Sequence, residues 1–106
     1  MPNLLKLILL THFSEKPQGF WDNKQFEIGS AENGTSENIR NALKHCASKK
    51  EAEIAVIYFT GNFNIHNFHK GLARFMGLKK SPGSQFKDFD LILCIQNKKI
   101  VHVYKK

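Results

Sequence analysis

The chain has 106 residues with 42% hydrophobic content, enough for one domain with a modest core and too little for a second. Sixteen Lys and Arg against 9 Asp and Glu give a formal charge of +7 and a pI near 9.6, which favours an anionic partner such as RNA, DNA or an acidic protein. The one long apolar run, 4–10, is broken by Lys6 and falls well short of the roughly 20 residues that span a bilayer, so no membrane association is expected. It also lacks a basic flank and a small-x-small cleavage site, since Thr11-His12-Phe13 follows, and is expected to be a buried element of a soluble protein.

In chain order, 4–10 is compatible with a strand or a short helix; as a strand it would place Leu5, Leu7 and Leu9 on one face. A loop composition follows at 14–19. Residues 20–28 read as two short strands around a turn at Asp22-Asn23-Lys24, and 30–36, with Asn33 and Gly34, as a polar loop. Thr35 or Ser36 then caps a helix over 37–48. Glu37 suits the positive end of its dipole, and Ile39, Ala42, Leu43 and Cys46 recur at helical spacing on one buried face. The run EIAVIYF at 53–59 predicts a central strand, ended by Gly61. A second amphipathic helix over 64–76 buries Ile65, Phe68, Leu72 and Phe75 or Met76, and Gly77, Pro82 and Gly83 mark a basic loop. Residues 89–95 and 99–104 are two strands of a hairpin turning at Gln96-Asn97-Lys98. The expected fold is α+β, a single domain over 1–106 with a central, mostly antiparallel sheet of about four to six strands and two or three helices. Cys46 and Cys94 have no metal-ligand spacing and read as small buried hydrophobes, with a disulfide between them left open.

Within this frame the chemistry concentrates at Phe26-Glu27-Ile28-Gly29. Positions i and i+2 of a strand share a face, so a Glu-x-Lys pair would set a carboxylate beside an ammonium; here glycine holds the second place. Lys24 is three positions from Glu27, a parity that makes it a poor substitute, whereas Arg40, one turn into the first helix, is a better one. Gly29 is also compatible with a bulge where a nucleic-acid backbone approaches. His66, Lys70 and Arg74 form a polar stripe at i, i+4, i+8. His102 lies on the strand face opposite Val101 and Val103, and a histidine in a terminal strand is a side-chain type suited to acid catalysis. Lys79-Lys80, Lys98-Lys99 and Lys105-Lys106 extend the basic surface, while Phe20, Trp21 and Tyr104 are core residues or base-stacking platforms.

Pro17, Asn23-Lys24, Phe26-Glu27-Ile28, Gly34-Thr35-Ser36, Asn38-Ile39 and Ala55-Val56-Ile57, in this order of elements, resemble a known family. It comprises the RNase toxin domains at the C-termini of contact-dependent growth inhibition proteins, with related phage and conjugative-element domains, in the barnase, EndoU, colicin and RelE group of folds. The resemblance covers about 17–104. It departs at Gln18, where the family has an acid, and at Gly29, where it has lysine. It implies endoribonuclease cleavage of RNA, often tRNA, with no metal or other cofactor, inside a target cell's cytoplasm after delivery, and with an immunity protein as a further partner. Such chemistry needs a base for the ribose 2′-OH, an acid for the leaving oxygen and cations for the phosphate. Glu27, Arg40 and His102 are the candidates for those roles, and Lys24, Thr35, Ser36, Asn38, His66, Lys70 and Arg74 for RNA binding. The departures keep open a catalytically degenerate RNA- or protein-binding module and, as a lesser alternative, a metal-dependent nuclease of the Asp…Glu-x-Lys type.

Overall fold

The structure, a computed structural model, describes residues 18–21, 24–32, 34–47, 52–79 and 89–105. The run at 4–10, most of the loop at 14–19 and the Pro82-Gly83 loop lie outside the described residues. The elements are β1 (Gln18–Trp21), β2 (Lys24–Ala31), α1 (Ser36–Ala47), β3 (Ile54–Phe59), α2 (Ile65–Lys79), β4 (Leu91–Gln96) and β5 (Lys99–Lys105). They form an α+β unit with one five-stranded sheet, in the order β1-β2-β3-β4-β5, and two helices. The two outer pairings are antiparallel hairpins and the two inner ones are parallel, so the sheet is mixed rather than mostly antiparallel as expected, because a helix intervenes between β2 and β3 and between β3 and β4. Parallel neighbours need a crossover connection, and α1 and α2 supply the two crossovers.

Strand parity divides the sheet into two apolar faces. Phe26 and Ile28, Ile54 and Val56, and Leu93 and Ile95 share one buried face. Ala31, Ala55, Ile57, Phe59, Ile92 and Cys94 share the other, covered by Ile39, Ala42, Leu43 and Cys46 of α1 and Phe68, Leu72 and Phe75 of α2. Fully burying each of the larger apolar side chains contributes roughly 1.5–3 kcal/mol. The near-continuous apolar strings of β3 and β4 are what strands buried on both faces require.

Helix boundaries follow their caps. Thr35 Oγ1 accepts a hydrogen bond from the Asn38 amide at 3.2 Å, which makes Thr35 the N-cap and Ser36 the first helical residue. Asn64 Oδ1 does the same for the Asn67 amide at 3.0 Å at the start of α2. Two features run past their expected limits. Strand β2 continues through Ser30 to Ala31 because Gly29, Ser30 and Ala31 pair with Ile57, Tyr58 and Phe59. Helix α2 continues through Gly77 to Lys79, since a single glycine near a helix end costs only about 1 kcal/mol. The β4–β5 hairpin turns at Asn97 and Lys98, both with positive φ (52° and 63°), the geometry of the two-residue turn that matches strand twist.

Two glycines set how closely α1 is held. At Gly29 of β2, a Cβ would lie 3.1 Å from the Ala42 carbonyl oxygen and 3.4 Å from Cys46 Sγ. At Gly71 of α2, a Cβ would lie 2.7 Å from Ile39 Cβ and 2.8 Å from the Ser36 carbonyl oxygen. Helix α1 is thus pressed against the sheet at one glycine and against α2 at another.

Candidate nucleic-acid interface

The motif strand β2 points Glu27, Gly29 and Ala31 toward the helices, in register with Ala55, Ile57 and Phe59. Glu27 is consequently 1% exposed, a buried charged residue beneath α1 rather than a solvated strand residue. From α1, the Cys46 thiol donates to the Glu27 backbone carbonyl at 3.5 Å. Burial, followed by the negative charge of Glu27, pushes the Cys46 thiol from 9.0 up to about 12, against a smaller opposing effect of a Val56 backbone hydrogen bond. Cys94 is raised to about 12 by burial as well, and both cysteines are free thiols.

Gly29 is not at a bulge. Its pairing with Ile57 belongs to an unbroken parallel register from Phe26 to Ala31, and what approaches its Cα is the α1 backbone at Ala42. The space that a lysine side chain would need is occupied by the helix.

The three residues expected to act together are held apart. Arg40 bonds to Asn41 Oδ1 at 3.0 and 3.3 Å and lies 3.9 Å from Glu37, all on α1. Cys46, which reaches Glu27, is six residues further along, about 9 Å of helix rise. His102 is on β5, in register with Cys94, Ile57 and Gly29, so three strand spacings, roughly 14 Å, separate it from β2. It faces α2, as its parity against Val101 and Val103 requires. Its ring stacks on Phe63 (centroids 5.8 Å), meets Phe68 edge-on (4.9 Å) and lies 6.2 Å from His69.

The expected RNA contacts divide by location. Lys24, at the start of β2, forms an exposed ion pair with Asp90 at 3.2 Å, at the strand end opposite the α1 N-terminus. Thr35 and Asn38 are engaged in the α1 cap. His66, Lys70 and Arg74 are all exposed along α2, and Arg74 Nη1 donates to Ser36 Oγ at 3.4 Å. Arg74 therefore joins the α2 stripe to the N-terminus of α1, where the helix dipole is positive. That places two cationic side chains, a histidine and a helix N-terminus on one continuous surface, an arrangement suited to successive phosphates.

Neither His69 nor Gly71 was singled out from sequence. His69 lies one position from the stripe residue Lys70 and is brought to His102 only by the fold. Gly71 had a legible signal, a glycine inside an amphipathic helix pattern, which marks close approach of another backbone. Among the described residues no group of three or more His, Cys, Asp or Glu is placed to hold a metal ion, and no helix is long and apolar enough to cross a membrane. No protein-family model, curated protein or solved structure matches the chain.

Proposed function

We propose that this domain binds RNA through its phosphates, using the outer face of α2, and that its likeness to RNase toxin domains reflects a shared way of meeting RNA rather than a working Glu27 centre. The observation that carries this is the exposed His66, Lys70, Arg74 stripe joined by Arg74 to Ser36, in a chain of charge +7. Phosphate contacts position an RNA and supply salt-dependent affinity without selecting a sequence. A general base must come within about 3 Å of the proton it removes, and Glu27 lies under α1 in this arrangement. The test is fluorescence anisotropy with a labelled single-stranded RNA over a range of salt concentrations. Binding that weakens steeply with salt and falls in Lys70→Ala/Arg74→Ala supports RNA binding on α2; absence of binding at low salt overturns it.

A second reading, metal-free cleavage of the bound RNA, is favoured by one specific observation. His102 and His69 have ring centroids 6.2 Å apart, and His69 is exposed. Two hydrogen-bond reaches of about 3 Å would let two such rings serve the attacking and leaving oxygens of one phosphodiester. Incubation of total RNA and isolated tRNA with the protein, with and without EDTA, separates the two. Cleavage that survives EDTA and is lost in both His69→Ala and His102→Ala selects the enzyme, and intact RNA with retained binding selects the binding module. Delivery into a target cell belongs to the enzyme reading, and an immunity partner fits the enzyme and a protein-binding module alike.

A further inference from the structure

Strand β5 lies at the end of the sheet, and among the described residues β4 is its one neighbour. Its sequence, KIVHVYK, supplies all the exposed large hydrophobic residues among the described ones: Ile100 at 41%, Val101 at 40% and Val103 at 42%. Natural edge strands are normally blunted by charge, shortness or bulges, because unpaired backbone groups beside apolar side chains recruit further strands. Here the lysines stand only at the two ends, Lys98 and Lys99 before and Lys105 after, all exposed. The pairing does shift register once, between Cys94 and Ile95. Cys94 lies opposite His102 and Ile95 opposite Ile100, leaving Val101 as the additional residue. That shift falls near the turn, and the stretch from His102 to Lys105 pairs regularly with β4.

We propose that β5 receives an added strand from another protein, an extended segment with apolar residues at alternate positions and acidic residues at its ends. Strand addition of this kind draws affinity from main-chain hydrogen bonds and selectivity from alternate side chains. Val101 and Val103 are two residues apart, on one face, and give the incoming strand an apolar partner surface. Charge decides what that strand is. A second copy pairing antiparallel along β5 would bring the lysine-bearing ends, Lys98-Lys99 of one and Lys105 of the other, together at both ends, and like charges crowded across a strand pair destabilise it. Two copies would also bring together chains of +7 each. A segment with carboxylates at both ends converts the same two positions into cross-strand ion pairs. This surface is separate from the α2 stripe and stands whether or not RNA binds there.

The test uses the full chain, ¹⁵N-labelled, titrated with an end-blocked peptide Glu-Thr-Val-Thr-Val-Thr-Glu, whose valines fall opposite Val101 and Val103 when its ends meet Lys99 and Lys105, and with its counterpart carrying Lys at both ends. The expected result is amide shifts and slowed hydrogen exchange confined to β5 and the adjoining turn, at least tenfold tighter binding of the acidic peptide, and at least fivefold weaker binding by Val101→Thr/Val103→Thr. Those valines are exposed, so the variant keeps its core. Absence of β5 shifts, or equal binding of the two peptides, overturns the proposal. So do the same shifts arising on concentration alone with a dimer in sedimentation, which makes the occupant a second copy, or their appearance with a single-stranded RNA, which makes it nucleic acid. Loss of RNA binding in Lys70→Ala/Arg74→Ala with peptide binding unchanged separates this surface from the one on α2.

Discussion

The carboxylate on the helix-facing side of β2 and the basic stripe on the outer face of α2 are opposite in charge and meet opposite environments. Glu27 is 1% exposed under α1, whereas His66, Lys70 and Arg74 are open to solvent. What separates them is the seating of α1, which rests on Gly29 and on Gly71. Glycine at position 29 is therefore explained by packing: the α1 backbone lies 3.1 Å from where a Cβ would stand, and β2 makes a close helix contact there. A motif located by strand parity alone identifies a face, and whether that face is a site or a core depends on what the following helix does.

The sharpest way to break this contrast is Gly29→Lys. Overpacking at a tight contact costs roughly 1–3 kcal/mol, and burying a poorly solvated ammonium adds to it, so a loss of at least about 3 kcal/mol is expected in urea denaturation. Gly29→Ala, meeting the Ala42 carbonyl at 3.1 Å, should lose less. A Gly29→Lys protein as stable as the parent and newly able to cleave RNA would make β2 the catalytic strand and reverse the contrast.

The thiols probe the same buried half through pH. Cys46 and Cys94 titrate near 9.0 when unfolded and near 12 when folded, so the folded state holds their protons more tightly. Their contribution is fully present below pH 9, declines as pH rises from 9 toward 12, and changes no further above that. Within this window each thiol lowers stability by about 1.4 kcal/mol per pH unit. Denaturation midpoints at pH 8 and pH 10 should diverge less in Cys46→Ala than in the parent. An equal divergence would mean that Cys46 is not sealed beneath α1.

Much of the fold was legible because its signals are local. The 3.6-residue recurrence of Ile39, Ala42, Leu43 and Cys46 marks α1, the apolar run from Ile54 marks β3, and Asn97-Lys98 marks the last turn. The His66, Lys70, Arg74 stripe was legible for the same reason, and all three side chains are exposed. The burial of Glu27 was not, since strand parity says only that Glu27 shares a face with Gly29 and is silent on which layer covers it. The pairing of His69 with His102 was equally hidden. It arises from residues 33 positions apart on α2 and β5, and non-local packing of that kind leaves no periodic trace. Tyr104 was expected in the core or as a stacking platform, and it packs half-buried against the core cluster.

On the exposed half, Lys70→Ala with Arg74→Ala should leave stability within about 0.5 kcal/mol, as surface changes generally do. RNA affinity should fall about tenfold at low salt, and the slope of log K against log salt should drop by about 0.7 per cation removed for a single strand. A fall in affinity with an unchanged slope would assign the two residues to shaping the surface rather than to phosphate contact, through the Arg74 bond to Ser36.

Thr35 lies where the two halves meet. It was expected among RNA contacts, and its hydroxyl is engaged with the Asn38 amide at 3.2 Å. Losing a threonine N-cap costs about 1 kcal/mol, so Thr35→Ala should destabilise by that amount and Thr35→Ser should restore it. If the hydroxyl serves only the cap, RNA affinity at a temperature where both variants are folded will match the parent. An affinity loss in Thr35→Ala that Thr35→Ser reverses would extend the phosphate surface from Arg74 and Ser36 onto the α1 cap, making the helix that seals Glu27 also the helix that presents its N-terminus to RNA.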